Sequence, residues 1–185
     1  MSIIVSCKGV QVGEFWIPPF EIDEGKLVGF FFHGDHTVVE LQNYLIDIFA
    51  GKKPCEGIVV HQPLNKLSLY KTTWKDYFFP MTVKKFISSY IDKSLFDENL
   101  GFLEDENLKV RDLLPGQQKL LLLYKELSQT NKIVFNLDGS DPISLEFLLK
   151  QVRTSLNKQG GVYILMDHFD YKKNCDKYYE IKMIK

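Results

Sequence analysis

Cysteine is scarce in this chain. Cys7, Cys55 and Cys175 are its only three, far apart and with no C-x-x-C pair, which argues against a disulfide framework or a zinc site and favours reduced thiols in a cytoplasmic protein. Long apolar runs are missing too. No uncharged stretch approaches the roughly 20 residues that span a bilayer, so a meeting with a membrane is expected only through a partner. The opening Met1-Ser2-Ile3-Ile4-Val5 is soon interrupted by Lys8, too early for a secretory signal. Excess charge is absent: 23 Lys+Arg face 24 Asp+Glu, a net charge of −1. That balance excludes a nucleic-acid binder working by bulk electrostatics. Repeats, low-complexity tracts and linkers are also lacking, and 185 residues suit one domain over 1–185.

What is present is a folding pattern. The chain is 45% apolar and 14% aromatic, ample surface for a core. Short apolar runs alternate with helical periodicities, which predicts a layered α/β domain. The strands are expected at Ser2–Cys7, Phe15–Ile22, Lys26–Phe32, Gly57–Val60, Leu67–Lys71, Lys132–Leu137, Gly161–Met166 and Tyr178–Ile184. Pro18 and Pro19 make the second of these an edge or broken strand. Phe30-Phe31-Phe32 and Ile133-Val134-Phe135 have no polar alternate, as in strands covered on both faces. Helices are expected from the stripes Val38/Leu41/Leu45/Ile48, Val83/Phe86/Ile87/Tyr90 and Leu145/Leu148/Leu149/Val152/Leu156. The unbroken Leu120–Tyr124 places the helix of Gln117–Leu127 in the interior. Asp92–Asp112 is acidic and weakly periodic, a loop-rich or small helical insert.

The order of several short pieces carries more than any one of them. Ile22-Asp23-Glu24-Gly25-Lys26-Leu27-Val28-Gly29 leads into a strand, a loop and a helix ending in Phe49-Ala50-Gly51, then Lys53-Pro54-Cys55-Glu56-Gly57-Ile58-Val59. Thr73-Trp74 precede Phe79-Pro80-Met81-Thr82-Val83, and Leu113-Leu114-Pro115-Gly116-Gln117 opens the buried helix. The strand Ile133–Leu137 ends in Asp138, and a later strand ends in Asp167-His168. Over nearly the whole chain this series resembles the ATP-binding cassette (ABC) ATPase domain of transporters. The resemblance implies a P-loop NTPase-like mixed sheet with helices on both faces, an N-terminal antiparallel β part, and a reduced helical subdomain at 92–112. It also implies that Phe32–Phe49 holds the phosphate loop and its helix, Leu113–Gln117 the signature, Ile133–Asp138 Walker B, and His168 the switch histidine.

The departures from that pattern decide the functional expectation. A phosphate loop, G-x-x-x-x-G-K-[ST], needs glycines, a lysine for the phosphates and a hydroxyl for Mg²⁺. Counted back from Ala50-Gly51, the lysine position is Gln42 and the hydroxyl position Asn43, with about four extra residues in the loop. Independently of any alignment, no Lys or Arg lies between Lys26 and Lys52, and Gly34 is the only glycine left in the turn. Asp35 and Glu40 add charge of the wrong sign, and two unit charges about 4 Å apart interact by roughly 4 kcal/mol at a surface-like dielectric. The carboxylate that would position the attacking water is replaced by Gly139. In the signature, the hydroxyl is replaced by Leu114 and a glycine by Pro115, while Gly116 and Gln117 survive. The Q-loop glutamine is missing as well. His168 keeps its place without those partners.

The expectation is therefore a pseudo-ATPase with no catalytic residue, no metal, and no cofactor beyond weak ATP and Mg²⁺ binding. Gly34, Gln42, Asn43, Asp138, Gly116 and Gln117 would be remnants of a nucleotide site; Gly139 and His168 would be degenerate catalytic positions. Asp138 reads either as an Mg²⁺ ligand or as a turn residue, and His33-Gly34-Asp35-His36 either as metal ligands or as solvent-facing polar residues. Thr73, Trp74, Tyr77, Phe78 and Phe79 read either as a local satellite core or as a partner interface, since the resembling family meets its transmembrane partner there and aromatics are enriched at interfaces. The partner would be a membrane permease subunit or an active ABC ATPase, in a hetero- or homo-oligomer, with the chain cytoplasmic or peripheral at the inner face of the membrane and no nucleic acid involved. Two competitors stand beside this reading. One is a slow hydrolase in which His33 or His36 replaces the lysine charge; the other is a soluble regulatory module whose cleft is filled by Phe32 and its neighbours.

Overall fold

The apolar strands of the chain alternate between two hydrophobic cores, and that alternation organises the molecule. The computed structural model describes residues 2–33, 37–67, 70–92, 107–167 and 171–184. Its strands are β1 (Ile3–Cys7), β2 (Val10–Val12), β3 (Phe15–Ile17), β4 (Phe20–Asp23), β5 (Lys26–Phe32), β6 (Ile58–Val60), β7 (Asn65–Lys66), β8 (Lys132–Asn136), β9 (Val162–Asp167) and β10 (Lys177–Met183). The helices are α1 (Thr37–Phe49), α2 (Lys75–Phe78), α3 (Val83–Tyr90), α4 (Pro115–Leu127) and α5 (Pro142–Gln159). Strands β4-β1-β6 form an antiparallel sheet, with Cys7 opposite Phe20 and Val5 opposite Val60. The main sheet runs β2-β3-β10-β5-β9-β8-β7, parallel from β10 to β7, with antiparallel β2 and β3 at its other end.

Because successive strand residues point to opposite faces, β5, β8 and β9 each contribute to both cores. Leu27, Ile133, Phe135, Tyr163 and Leu165 face α3, α4 and α5. Val28, Phe30, Phe32, Val134, Val162, Ile164 and Met166 face α1 and the small antiparallel sheet. Helices on both faces of a mixed sheet, with an N-terminal antiparallel β part, agree with the expected architecture. Leu120–Tyr124 is buried throughout except for a small exposed fraction of Leu122, as its unbroken apolar run implies.

Local chemistry sets the helix ends. The Asp141 carboxylate accepts hydrogen bonds from Ile143 N (3.1 Å) and Ser144 N (3.0 Å), with Pro142 in the first turn of α5, a combination that satisfies donors left unpaired at a helix start. Thr82 caps α3 through Lys85 N at 3.3 Å. At α4, Leu114 has no side-chain acceptor; instead Gln117 Oε1 reaches back to accept from Leu114 N at 3.1 Å.

Several boundaries differ from expectation. The Phe15–Ile22 strand is two strands, broken at Pro18-Pro19, where the chain passes from one sheet to the other. Edge pairing expected at Leu67–Lys71 occurs at Asn65–Lys66, followed by Leu67 N donating to Val134 O at 3.0 Å; residues 68–69 lie outside the described residues. The short β2 and α2 have too few residues to show a period. Of the Asp92–Asp112 insert, 93–106 lies outside the described residues, and Val110–Asp112 forms a single 3₁₀ turn. Among the described residues, no helix is long and apolar enough to cross a membrane.

Candidate functional site

The path of the chain through the sheet directs attention to one edge. From β5 it passes to the far strand β7, steps back through β8 and β9, and finishes at β10 on the other side of β5. Open α/β sheets bind ligands outside the carboxyl ends of their strands, near such a reversal. A cleft of about 440 Å³ opens there, lined in part by Asn43 and Ile46 of α1, Lys66 and Leu67 at the end of β7, Lys119 of α4, and Asn136 and Asp138 at the end of β8.

The α1 side of the edge is neutral. Gln42 is 0% exposed, and neither its amide nitrogen nor its amide oxygen has a hydrogen-bond partner. The loop expected to be about four residues longer is followed by α1, which begins at Thr37. Four residues are close to one 3.6-residue turn, so Val38 and Gln42 occupy the same inward face. Val38 is also buried. The position expected for the lysine, Gln42, therefore holds an uncharged buried side chain, as does Val38 one turn before it. Asn43 turns back on its own helix, its Nδ2 donating to Val39 O at 3.0 Å. Gly34 lies outside the described residues, as does His36.

The β8 side carries the charge. Asn136 Nδ2 donates to Asp138 Oδ2 at 2.9 Å. Lys119, 4% exposed, sends its Nζ to Asn136 O (3.1 Å), Asn136 Oδ1 (3.3 Å) and Asp138 O. Three donated bonds use all three protons of an ammonium. Burial pulls the Lys119 ammonium below its ordinary value, while the charges of Asp138 and Asp167 oppose that shift. Asp167 is itself only 2% exposed. Sequence reasoning missed Lys119; the available signal was a lone cation directly beside the apolar run of a buried helix.

The remaining remnants have structural tasks. Gly139 has φ +73 in a turn closed by Ser140 N donating to Leu137 O at 3.0 Å, a left-handed conformation that favours glycine over the expected glutamate. A Cβ on Gly116 would stand 2.6 Å from both Asp141 Oδ2 and Ser144 Oγ, so its bare backbone lets α4 abut the start of α5. Gln117 serves as the α4 cap. His33 is directed toward β10, 3.5 Å from Glu180, with Phe31 edge-on to its ring at 4.4 Å. Phe32 packs into the core beside α1 and leaves the cleft open. His168 lies outside the described residues.

Would this edge suit a magnesium nucleotide? The residues do not fit one. A tethered ammonium sits against Asp138, where a divalent ion would meet charge of its own sign, and the α1 face offers no cation to the phosphates. Among the described residues, no group of three metal-ligating side chains occurs.

Beyond the cleft, Trp74, Tyr77, Phe78 and Phe79 are 69%, 70%, 72% and 82% exposed, a surface platform rather than a satellite core. Its base is pinned by Asp76, which accepts from Tyr70 OH (2.6 Å), Thr73 N (2.7 Å) and Thr73 Oγ1 (2.8 Å). The Tyr70 bond, with the two from Thr73, holds the Asp76 carboxyl below its usual range; burial first, then Asp76, pushes Tyr70 up to about 12. Arg111 donates to Asp76 O at 2.9 Å and lies 5.1 Å over the Tyr77 ring.

No protein-family model matches the chain, and no curated protein matches it by sequence. Solved structures do match in fold. The RNase-L Inhibitor superposes with a TM-score of 0.64 at 17% identity, covering 99% of this chain, which spans 40% of that protein's length. The cbiO1 protein from Clostridium perfringens, part of the ABC transporter complex cbiONQ, gives 0.61 at 13% identity, over 100% of this chain and 88% of its own. An ATP-binding cassette of an ABC transporter in its ADP conformation gives 0.63 at 15%, over 100% and 90%. The fold is that of ABC ATP-binding cassette domains, with a mixed P-loop NTPase-like sheet.

Proposed function

We propose that this chain is a non-catalytic ABC-type subunit, a pseudo-ATPase that serves as a structural or regulatory partner of a membrane permease or of an active ABC ATPase. One observation supports the reading above the others: the cassette fold persists while the inner face of α1 carries no cation, with buried Gln42 at the lysine position. Gly139 in the place of the glutamate agrees with it. Phosphoryl transfer depends almost entirely on positioning and charge stabilisation, and both have left the β5–α1 junction. The exposed platform of Trp74, Tyr77, Phe78 and Phe79, with Thr73 at its base, is the surface through which the subunit would meet its partner. In that role the chain is peripheral at the inner face of the membrane and reaches the bilayer only through the partner.

The test is direct. Purified protein should show no ATP turnover above background and no rise in Tm with Mg-ATP. Turnover that Asp138→Ala abolishes would overturn the reading. Of the two histidines that the hydrolase alternative invokes, His33 faces Glu180 on β10 and His36 lies outside the described residues. For docking, Phe78→Ser with Phe79→Ser should leave Tm unchanged, since both rings are solvent-exposed, and should release the protein from the membrane fraction. Retention in that fraction would remove the platform from the proposal.

A further inference from the structure

The cleft has lost its expected cation from α1 and gained others from elsewhere. Lys66 ends the edge strand, Lys71 stands beyond it, Lys52 follows the C-terminal end of α1, and Lys119 enters from α4; all line the same cavity of about 440 Å³. Against these four ammonium groups stand the Asp138 carboxylate on the cleft wall and Asp47, which pairs with Lys66 at 3.0 Å. The balance is positive on the wall of an otherwise neutral protein. Lys119 is buried with all its protons donated, so it contributes charge rather than a hydrogen bond. The side chains of Lys52 and Lys71 make no ion pair or hydrogen bond with the described residues, and both residues are exposed where they line the cleft. Gln42, buried and unpartnered, shares a helix face with Ile46, which lines the cleft one turn along.

We propose that this cleft is a metal-independent binding site for a small polyphosphate-type oxyanion, either free or borne on a nucleotide. The argument is one of charge and donors. Lys119 offsets Asp138 from inside the protein, so the wall needs no divalent ion to become cationic. Lys52 and Lys71 then supply free N–H donors, and charge-assisted bonds to phosphate oxygens are the stronger class. A magnesium-bound phosphate chain arrives partly neutralised and brings a cation against Lys119, so it is the poorer ligand. The site thus differs from a phosphate loop in the origin of its cations and in the sign of its response to magnesium. Whether the chain hydrolyses ATP is a separate question, answered by turnover; this site is answered by binding in the absence of metal.

The experiment is isothermal titration and thermal denaturation of the whole chain with pyrophosphate, and separately with ATP, each in EDTA and in excess Mg²⁺. Pyrophosphate in EDTA should bind and raise Tm by about 4 °C at ten times its Kd, and magnesium should weaken it. ATP in EDTA binding as well as pyrophosphate would assign the phosphate chain of a nucleotide; ATP binding tenfold weaker would assign a free anion. Lys52→Gln with Lys71→Gln should weaken binding about tenfold, roughly threefold for each exposed charge, and rising salt should weaken it further. Lys84→Gln with Lys85→Gln, exposed on α3 and away from the cleft, should bind as the parent does. No binding of either anion in EDTA, binding that appears only with magnesium, or equal affinity in the Lys52/Lys71 variant would each overturn the proposal.

Discussion

Replacing Lys119 by methionine tests the interior of the cleft most sharply. The side chain is 4% exposed and donates three hydrogen bonds at the end of β8. Hydrogen bonds to a charged group contribute about 1.5–3 kcal/mol each, and a buried acceptor left without a donor costs about 1–3 kcal/mol. The opposing term is desolvation, several kcal/mol for a buried ion, which the methionine no longer bears. Its thioether also fills most of the lysine stem's volume. One of the three acceptors, Asn136 Oδ1, belongs to a side chain able to turn elsewhere, so the loss falls mainly on two carbonyls. The net expectation for Lys119→Met is a loss of about 2–3 kcal/mol. For a chain of this size that is a fall in Tm of about 5–10 °C. Urea unfolding followed by circular dichroism reads the difference directly, with an unchanged m-value showing that the native state alone is affected. A second measurement apportions it: Asp138→Asn should cost less in the Lys119→Met background than in the parent, because the ammonium it answers to is gone. Stability within about 0.5 kcal/mol of the parent would refute the reasoning, since buried ions replaced by apolar groups are often neutral when their bonds are poor.

Three other outcomes follow from the geometry. Gly161→Ala should destabilise by about 3 kcal/mol or more, because φ is +98 and the new Cβ would lie 2.1 Å from Asn131 O. Gly13→Ala, at φ +57 with nothing within 4 Å, should cost only about 1 kcal/mol, and equal losses in urea titrations would contradict the steric account. Asp141→Ala removes the α5 cap and should cost about 1–2 kcal/mol, with Asp141→Asn recovering most of it; a silent alanine variant would show that the cap is dispensable. Acid should unfold the protein from a particular set of carboxylates. Asp23 is held low by Lys26 and Lys177, Asp47 by Lys66 and Lys53, Asp76 by Tyr70 and Thr73, and Asp141 by Ser144. Each folded-state value lies below the ordinary 3.8, so the stability they supply is complete above that pH and is lost as pH falls through the folded values. Tm should hold steady down to about pH 4.5 and then drop; a flat profile to pH 2.5 would show that these pairs contribute nothing.

The central sheet was readable because its constraint is severe. A strand covered on both faces has no room for polar alternates, so Phe30–Phe32 and Ile133–Phe135 announce themselves. The structure divides Ile133–Phe135 between two cores, while Phe30 and Phe32 enter one core and Phe31 is half-buried beside His33 and Tyr178. The helices were readable for the converse reason: one stripe of each meets a core. Short elements carry no such signal, and β2 and α2 were invisible. The site was only half legible. The absence of a cation from α1 and the glycine at position 139 could be seen by counting, but counting does not show that Gln42 is buried on the inner face of α1. The destination of the charge could not be seen at all. Lys119 lies 77 positions beyond Gln42 in the chain, and only the antiparallel docking of α4 on β8 brings its ammonium to the strand end.

The place of this cation bears on how the cleft responds to a metal. An ion that arrives with a nucleotide leaves with it, so a domain that relies on one exchanges electrostatic support with every cycle. An ammonium tied to a buried helix stays, and it counters Asp138 in every state of the molecule. By linkage, a ligand shifts an equilibrium only by its differential affinity for the two states. With the charge at β8 fixed from within by the bonds from Lys119 to Asn136 and Asp138, a magnesium ion would have little differential affinity left to contribute. At the cleft's outer lining, the Lys52 and Lys71 side chains pair with no described residue. Permanence at the strand ends and accessibility at the mouth thus go together with one arrangement: a buried cation carried by α4, and none carried by α1.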